Sequence, residues 1–183
     1  MTRLTVFPDD QPGQGQSFGD YDAIVTMLSE INVTLEKWET EKPLAKDATP
    51  EDVMQAYDDS IKKLNDKYGF KTIDVVGLNP DHLDKEAMRQ KFLAEHTHDD
   101  FEVRFFVEGS GIFYLHVNGK VYATLCEKGD LISVPANTTH WFDMGTSPYF
   151  KCIRFFTTDE GWVGNFTGSE IAKSFPDFDT LTS

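Results

Sequence analysis

The 183-residue chain carries 31 acidic against 17 basic residues, a formal net charge of -14 at pH 7 that repels phosphate backbones and anionic lipid, so neither nucleic acid nor membrane is expected as a partner. With 39% hydrophobic residues and 15 Phe, there is material for one core, and a single domain over 1–183 is expected. The opening Met1-Thr2-Arg3-Leu4 has no apolar leader character and no later run approaches a membrane span, so the expected location is cytoplasmic. In such a chain Cys126 and Cys152 read as reduced core residues rather than a disulfide or a catalytic pair.

In chain order, Gln11 to Gln16 reads as a flexible polar loop. Ile24, Leu28, Ile31, Leu35 and Trp38 then recur at helical spacing behind Asp20, predicting an amphipathic helix over 20–40. Thr49-Pro50-Glu51-Asp52 predicts a second helix start, with Thr as N-cap, Pro in the first turn and an acid three residues on. Val53, Tyr57, Ile61, Leu64 and Tyr68 continue its buried stripe. Asn79-Pro80-Asp81 predicts a third start, with Leu83, Ala87, Met88 and Phe92 as a short stripe and His82 on its surface. From Phe101 the texture changes to short runs rich in Val, Ile, Phe and Tyr, which predict strands at 103–107, 112–117, 120–126, 130–134, 140–143 and 149–156. Asn118-Gly119 predicts a type I' hairpin, and Glu108-Gly109-Ser110-Gly111 and Lys128-Gly129-Asp130 predict further turns. The expected layout is a mainly helical part at 1–92, a metal-binding barrel core at 93–165 and a C-terminal tail at 166–183.

The chemistry concentrates in two segments. Glu95 to Glu102 holds His96, His98 and Glu102 as H-x-H-x3-E, read as a strand whose alternate side chains share a face roughly 6.5 Å apart. Gly129 to His140 is an alternating apolar strand, a turn at Pro135 to Thr139, and His140 at the start of the next strand. A ligand delivered from a distant strand implies a barrel. Three imidazoles with one carboxylate favour Fe(II), Ni(II), Co(II), Mn(II) or Zn(II) over hard cations that prefer oxygen shells. An octahedral ion with four protein ligands keeps two positions for a bidentate oxygen substrate. A lone histidine is more often a hydrogen-bonded packing residue, and His116, in Tyr114-Leu115-His116-Val117, is read that way, facing away from the metal.

These segments resemble the cupin pattern H-x-H-x3-4-E-x6-G followed by G-x5-P-x-G-x2-H-x3-N. The chain departs from it at Gln90, where a leading glycine is usual, at Asn137 for the second-motif glycine and at Met144 for the final asparagine. Asn137 tolerates a left-handed backbone, so the turn before His140 is expected to survive. Within the cupins the chain resembles bacterial-type acireductone dioxygenases. Three stretches carry this: Glu95 to Gly109, Leu125 to Gly145, and Ile153 to Thr157 with Glu160-Gly161-Trp162-Val163. Asp74-Val75-Val76 and Leu78-Asn79-Pro80 add to it.

The resemblance implies a mainly β fold with α, a jelly-roll-like cupin barrel with N-terminal helices packed outside. It implies one Fe(II) or Ni(II) per chain on His96, His98, Glu102 and His140, in a monomer acting on an acireductone and O2 in methionine salvage. With iron such enzymes convert 1,2-dihydroxy-3-keto-5-methylthiopentene to formate and 2-keto-4-methylthiobutyrate, and with nickel to carbon monoxide, formate and methylthiopropionate. Arg104 shares the parity of Glu102 and is expected to place a cation near the bound anion, with Arg154 doing likewise; a buried structural ion pair is the alternative for either. Phe92, Phe105, Phe142 and Trp162 resemble pocket aromatics that could take the methylthio tail, although Phe105 has the opposite parity to Arg104, and plain core packing is their alternative. Two other functions fit the same ligands: a quercetinase-like dioxygenase acting on another enol, and a metal-stabilised barrel that only binds a small ligand.

Overall fold

The computed structural model describes residues 1–39, 42–159 and 162–183. Its strands are β1 (Arg3–Pro8), β2 (Gln16–Phe18), β3 (Thr34–Lys37), β4 (Thr72–Leu78), β5 (His96–Thr97), β6 (Glu102–Val117), β7 (Lys120–Glu127), β8 (Asp130–Val134), β9 (His140–Asp143), β10 (Phe150–Phe156) and β11 (Asn165–Phe166). The helices are α1 (Tyr21–Ser29), α2 (Pro50–Ala56), α3 (Asp58–Tyr68), α4 (Lys85–Leu93) and α5 (Phe178–Thr182), with a 3-10 turn at Ile171–Ser174. None of the described helices is long and apolar enough to cross a membrane.

The 16-residue β6 organises the fold, because its first half pairs with β8 and β10 and its second half with β7 and β9. Two antiparallel layers result, β11-β5-β9-β6-β7-β1-β2 and β4-β10-β6-β8-β3. Opposite β6, Lys151 faces Glu108 while Cys152 faces Phe106, so Val107 is an extra residue, a bulge. One extra residue exchanges the two faces of a strand. Glu102, Arg104 and Phe106 therefore point between the layers before the bulge, and Phe113 and Leu115 after it. Gly109, at φ +69, lets the strand pass Tyr149, whose carbonyl oxygen leaves no room for a Cβ there. The turn expected at Glu108 to Gly111 is thus the interior of a continuous strand.

Three cores follow. The inner one lies between the layers and includes Phe106, Phe113, Leu115, Ile132 and Phe142, with Ile24 and Leu28 of α1 closing it. A second lies outside the five-stranded layer, where Val53, Tyr57, Ile61 and Leu64 of the α2–α3 region cover Val103, Phe105, Ile153 and Phe155. A third covers the outer face of the seven-stranded layer, where Phe175, Phe178 and Leu181 pack against Tyr114 and Trp141. The barrel with helices outside is the cupin-type architecture that the sequence implied.

Several elements differ from expectation. The helix predicted over 20–40 ends at Ser29; Asn32 adopts φ 62, and Val33 and Leu35 are buried at alternate positions leading into β3. Trp38 follows that strand and stacks on Phe105 at 4.8 Å. The Thr49 capping box is present, but the stripe behind it is divided between α2 and α3 at Tyr57. Helix α4 starts at Lys85 rather than at Asn79; Leu83 is 97% exposed and Ala87 is exposed, leaving Met88 and Phe92 to pack inward. His82 lies in the preceding turn, where its Nδ1 accepts from the Asp84 amide. The part expected to be mainly helical also supplies β1 to β4, because each finds a ladder partner later in the chain. The hairpin at Asn118-Gly119 has both residues at positive φ, as expected.

Candidate metal centre

The H-x-H-x3-E segment is not one strand. His96 lies on β5, opposite His140 of β9 in the seven-stranded layer, whereas Glu102 opens β6 opposite Val134 in the five-stranded layer. His98 sits in the crossover. Asp100 holds that crossover, accepting from the Phe101 and Thr157 amides and the Thr157 hydroxyl. Asn137, at φ 62, donates its amide to the His98 carbonyl at 2.8 Å and turns the chain toward His140.

All four side chains are buried, and their candidate donor atoms lie within 4.8 Å of one another. The imidazoles are oriented from behind: Nδ1 of His96, His140 and His98 sits 2.7, 2.7 and 2.9 Å from the carbonyls of Ala94, Thr138 and Val163. A carbonyl only accepts, so each Nδ1 carries a proton, and a ring that gives up its second proton turns an Nε2 lone pair inward. Nε2 of His140 and His98 lie 2.8 and 3.1 Å from the same Glu102 oxygen. Adjacent ligands on an octahedral ion with bonds of about 2.1 Å stand about 3 Å apart. Two lone pairs facing one carboxylate repel unless a cation or protons intervene. The donor set therefore fits one divalent ion.

Electrostatics make Glu102 the anionic member of the set. Burial, aided by neighbouring His140, pushes the His96 pKa down to about 4, so this ring stays neutral. For Glu102 burial alone would favour the acid, but without an ion the bonds from His140 and His98, with protons standing where the ion would sit, and the nearby Arg104 outweigh it and hold the carboxyl well below its ordinary range. Burial likewise opposes protonation of His98, yet its contact with Glu102 leaves that pKa raised.

The ligand cluster lines a cavity of about 430 Å³. Arg104 is in it, as parity predicted: its Nη2 donates to Glu102 at 3.0 Å, its Nε has no hydrogen-bond partner among the described residues, and its guanidinium lies 4.8 Å from the Phe142 ring centre. Arg154 also lines the cavity, but Asp74 engages it through two hydrogen bonds of 2.8 and 2.6 Å, the ion-pair alternative weighed above. Phe92, Phe142 and Trp162 line the walls; Phe92 meets Phe142 edge-on at 6.2 Å, and Trp162 stacks near His98 at 5.9 Å. Phe105 does not line it. Its odd position ahead of the bulge turns it to the helix side, fully buried between Trp38 and Tyr57. Glu160 and Gly161, part of the segment resembling the family, lie outside the described residues.

Lining residues that sequence reasoning missed include Asp74, Phe156, Lys91 and Phe166. Phe166 reaches the site because β11 pairs it with His96, and a two-residue strand leaves no readable pattern. His116 faces elsewhere, its nitrogens 2.9 Å from Glu95 and 3.1 Å from Asp9.

Comparison with known proteins agrees with this geometry. The ARD/ARD' family model matches residues 4–164. The acireductone dioxygenase of Methylococcus capsulatus is 52% identical over 176 residues, covering 96% of this chain and 95% of that protein. That of Aquifex aeolicus is 53% identical over 184 residues and covers 100% of both. A solved acireductone dioxygenase from Bacillus anthracis, with a cadmium ion in its active centre, aligns at TM-score 0.79 and 28% identity over 91% of this chain and 98% of that one. Matched by the family model over most of its length and by relatives from end to end, the chain belongs to the ARD/ARD' family.

Proposed function

We propose that this protein is an acireductone dioxygenase of methionine salvage, with one Fe(II) or Ni(II) per chain held by His96, His98, Glu102 and His140. The observation that carries the reading is the set of three imidazoles, each locked with Nε2 inward, closing with Glu102 on one point at the base of a cavity. The cadmium in the active centre of the Bacillus anthracis relative supports a divalent-cation site in this family. When bound, the ion would supply Lewis-acid charge to the oxygens of the enediol.

The chain's own residues supply the rest. Arg104 donates to Glu102 and keeps Nε free in a buried site, so it can donate to a substrate oxygen where negative charge develops. Arg154, fixed by Asp74, contributes a second cation to the wall. Phe92, Phe142 and Trp162 offer ring faces and edges to the methylthio tail and exclude water from the reacting carbons. The reaction adds O2 and gives formate with 2-keto-4-methylthiobutyrate in the iron form. In the nickel form it gives carbon monoxide, formate and methylthiopropionate. The protein is read as a cytoplasmic monomer; Cys126 and Cys152, free and buried, suit a reducing compartment.

The test is anaerobic reconstitution of the metal-free protein with Fe(II) and, separately, Ni(II), followed by oxygen uptake and product identification with synthetic acireductone. Keto acid from iron and carbon monoxide from nickel are expected. Metal binding without uptake above the metal-free background would overturn the dioxygenase reading.

A further inference from the structure

The cavity presents three cations, Lys91, Arg104 and Arg154, and three acids, Asp74, Glu102 and Asp159. Two of the cations are committed: Arg104 to Glu102 at 3.0 Å and Arg154 to Asp74 at 2.6 Å. Lys91 makes no hydrogen bond or ion pair among the described residues, with Asp159 included. It is exposed, in the last turn of α4, one residue before Phe92, whose ring meets Phe142 within the cavity. A reductone is a vinylogous carboxylic acid, so the substrate under the reading above enters as an anion, toward a protein of net charge -14. That field opposes entry unless a local cation offsets it.

We propose that Lys91 is a substrate-binding residue, the uncommitted cation at the mouth of the metal cavity that draws the anionic substrate in and contacts its oxygens there. The competing account is a surface lysine that only complements the C-terminal end of the α4 dipole. That role would move thermal stability and leave substrate affinity alone. Lysine suits the binding role because a flexible stem carries a mobile ammonium, able to follow a ligand inward.

The inference rests on the acireductone reading, and the experiment separates the two. Metal-loaded wild type, Lys91→Gln, Lys91→Glu and Lys91→Arg are compared for kcat and KM with acireductone at low and high salt. Binding of a 2-keto acid, the anionic product class, is measured alongside by calorimetry. Lys91→Gln is expected to raise KM about fivefold at low salt with kcat and metal content unchanged, and Lys91→Glu to raise it further. Lys91→Arg should restore wild-type KM, and the gap should close as salt screens the charge. Keto-acid affinity should fall in parallel. Wild-type turnover with an unchanged KM in Lys91→Gln and Lys91→Glu overturns the role of Lys91 alone. No turnover, with keto-acid binding that still depends on Lys91, overturns the acireductone reading and keeps the anion site. Neither turnover nor binding by wild type overturns both.

Discussion

At the scale of single residues, the centre separates groups that hold an ion from groups that act beside it. His96 and His140 are buried, with Nδ1 held by a carbonyl and Nε2 left to the cluster. Arg104 offers nothing to a cation, but bonds Glu102 through one nitrogen and leaves another without a partner among the described residues. Their alanine variants should therefore fail differently. His96→Ala and His140→Ala are expected to lose metal and activity together. Arg104→Ala is expected to keep metal while kcat falls about a hundredfold, the usual loss when one donor to developing charge is removed. Metal analysis on the protein used for the kinetics decides the matter; full activity in either histidine variant removes the ligand assignment, and an unchanged rate in Arg104→Ala removes its role. Lysine should rescue Arg104 poorly, since it has no planar fork to serve Glu102 and substrate at once.

At the scale of elements, one buried acid ties the site's helix to the strand of His140. Asp143, fully buried at the end of β9, accepts from Arg89 Nε and Nη2 at 2.7 and 3.1 Å and from the Gly145 and Phe178 amides at 3.0 and 2.8 Å. It thus joins α4, β9 and the start of α5, so the segment expected as a tail is bound over the outer sheet face. Asp143→Ala would leave the Arg89 charge without its main partner, a change that costs about 3–5 kcal/mol. Urea unfolding should show that loss, with Asp143→Asn intermediate; a loss below about 1 kcal/mol would mean that the clamp carries no weight. Little of this was legible in sequence, because the partners that tie Asp143 to α4 and α5 lie 54 residues before it and 35 after it. Signals that were legible are local: the capping box at Thr49, positive φ at Asn118 and Asn137, and the ligand spacing. The helix over 20–40 misled because Ile31 and Leu35 continue a spacing of four while Ile31, Val33 and Leu35 also alternate, and the partner β8 chose the strand. Phe105 misled because the pocket faces one side of β6 only. The tautomer of His98 depends on a carbonyl outside the motif, that of Val163, 65 residues away.

At the scale of the whole molecule, the chain must hold together against its own charge of -14, and His116 is one place where protonation helps. Its ring stands between Glu95, just before the first ligand, and Asp9, just after β1; Glu95 also accepts from the Thr167 hydroxyl beyond β11. One imidazole thus gathers three distant stretches at the side of the barrel away from the cavity. Burial alone would lower its pKa, but the two carboxylates outweigh it and the pKa is raised above 6.5. A raised folded-state value means that the folded protein binds this proton more tightly than the unfolded chain. Its contribution is complete below 6.5 and is lost as pH rises through the folded value. Unfolding free energy of the wild type should therefore decline across that window, and His116→Gln, which keeps polarity without a titrating charge, should lack this part of the slope. The Asp52, Glu170 and Asp177 carboxyls have lowered pKa values, so their contributions are present above the ordinary carboxylate range and fade at acid pH in both proteins alike. The difference between the two proteins then isolates His116. Parallel pH profiles above 6 would show that the cluster is held by neutral hydrogen bonds, and the charge on His116 would have no part in holding β1 to the ligand strand.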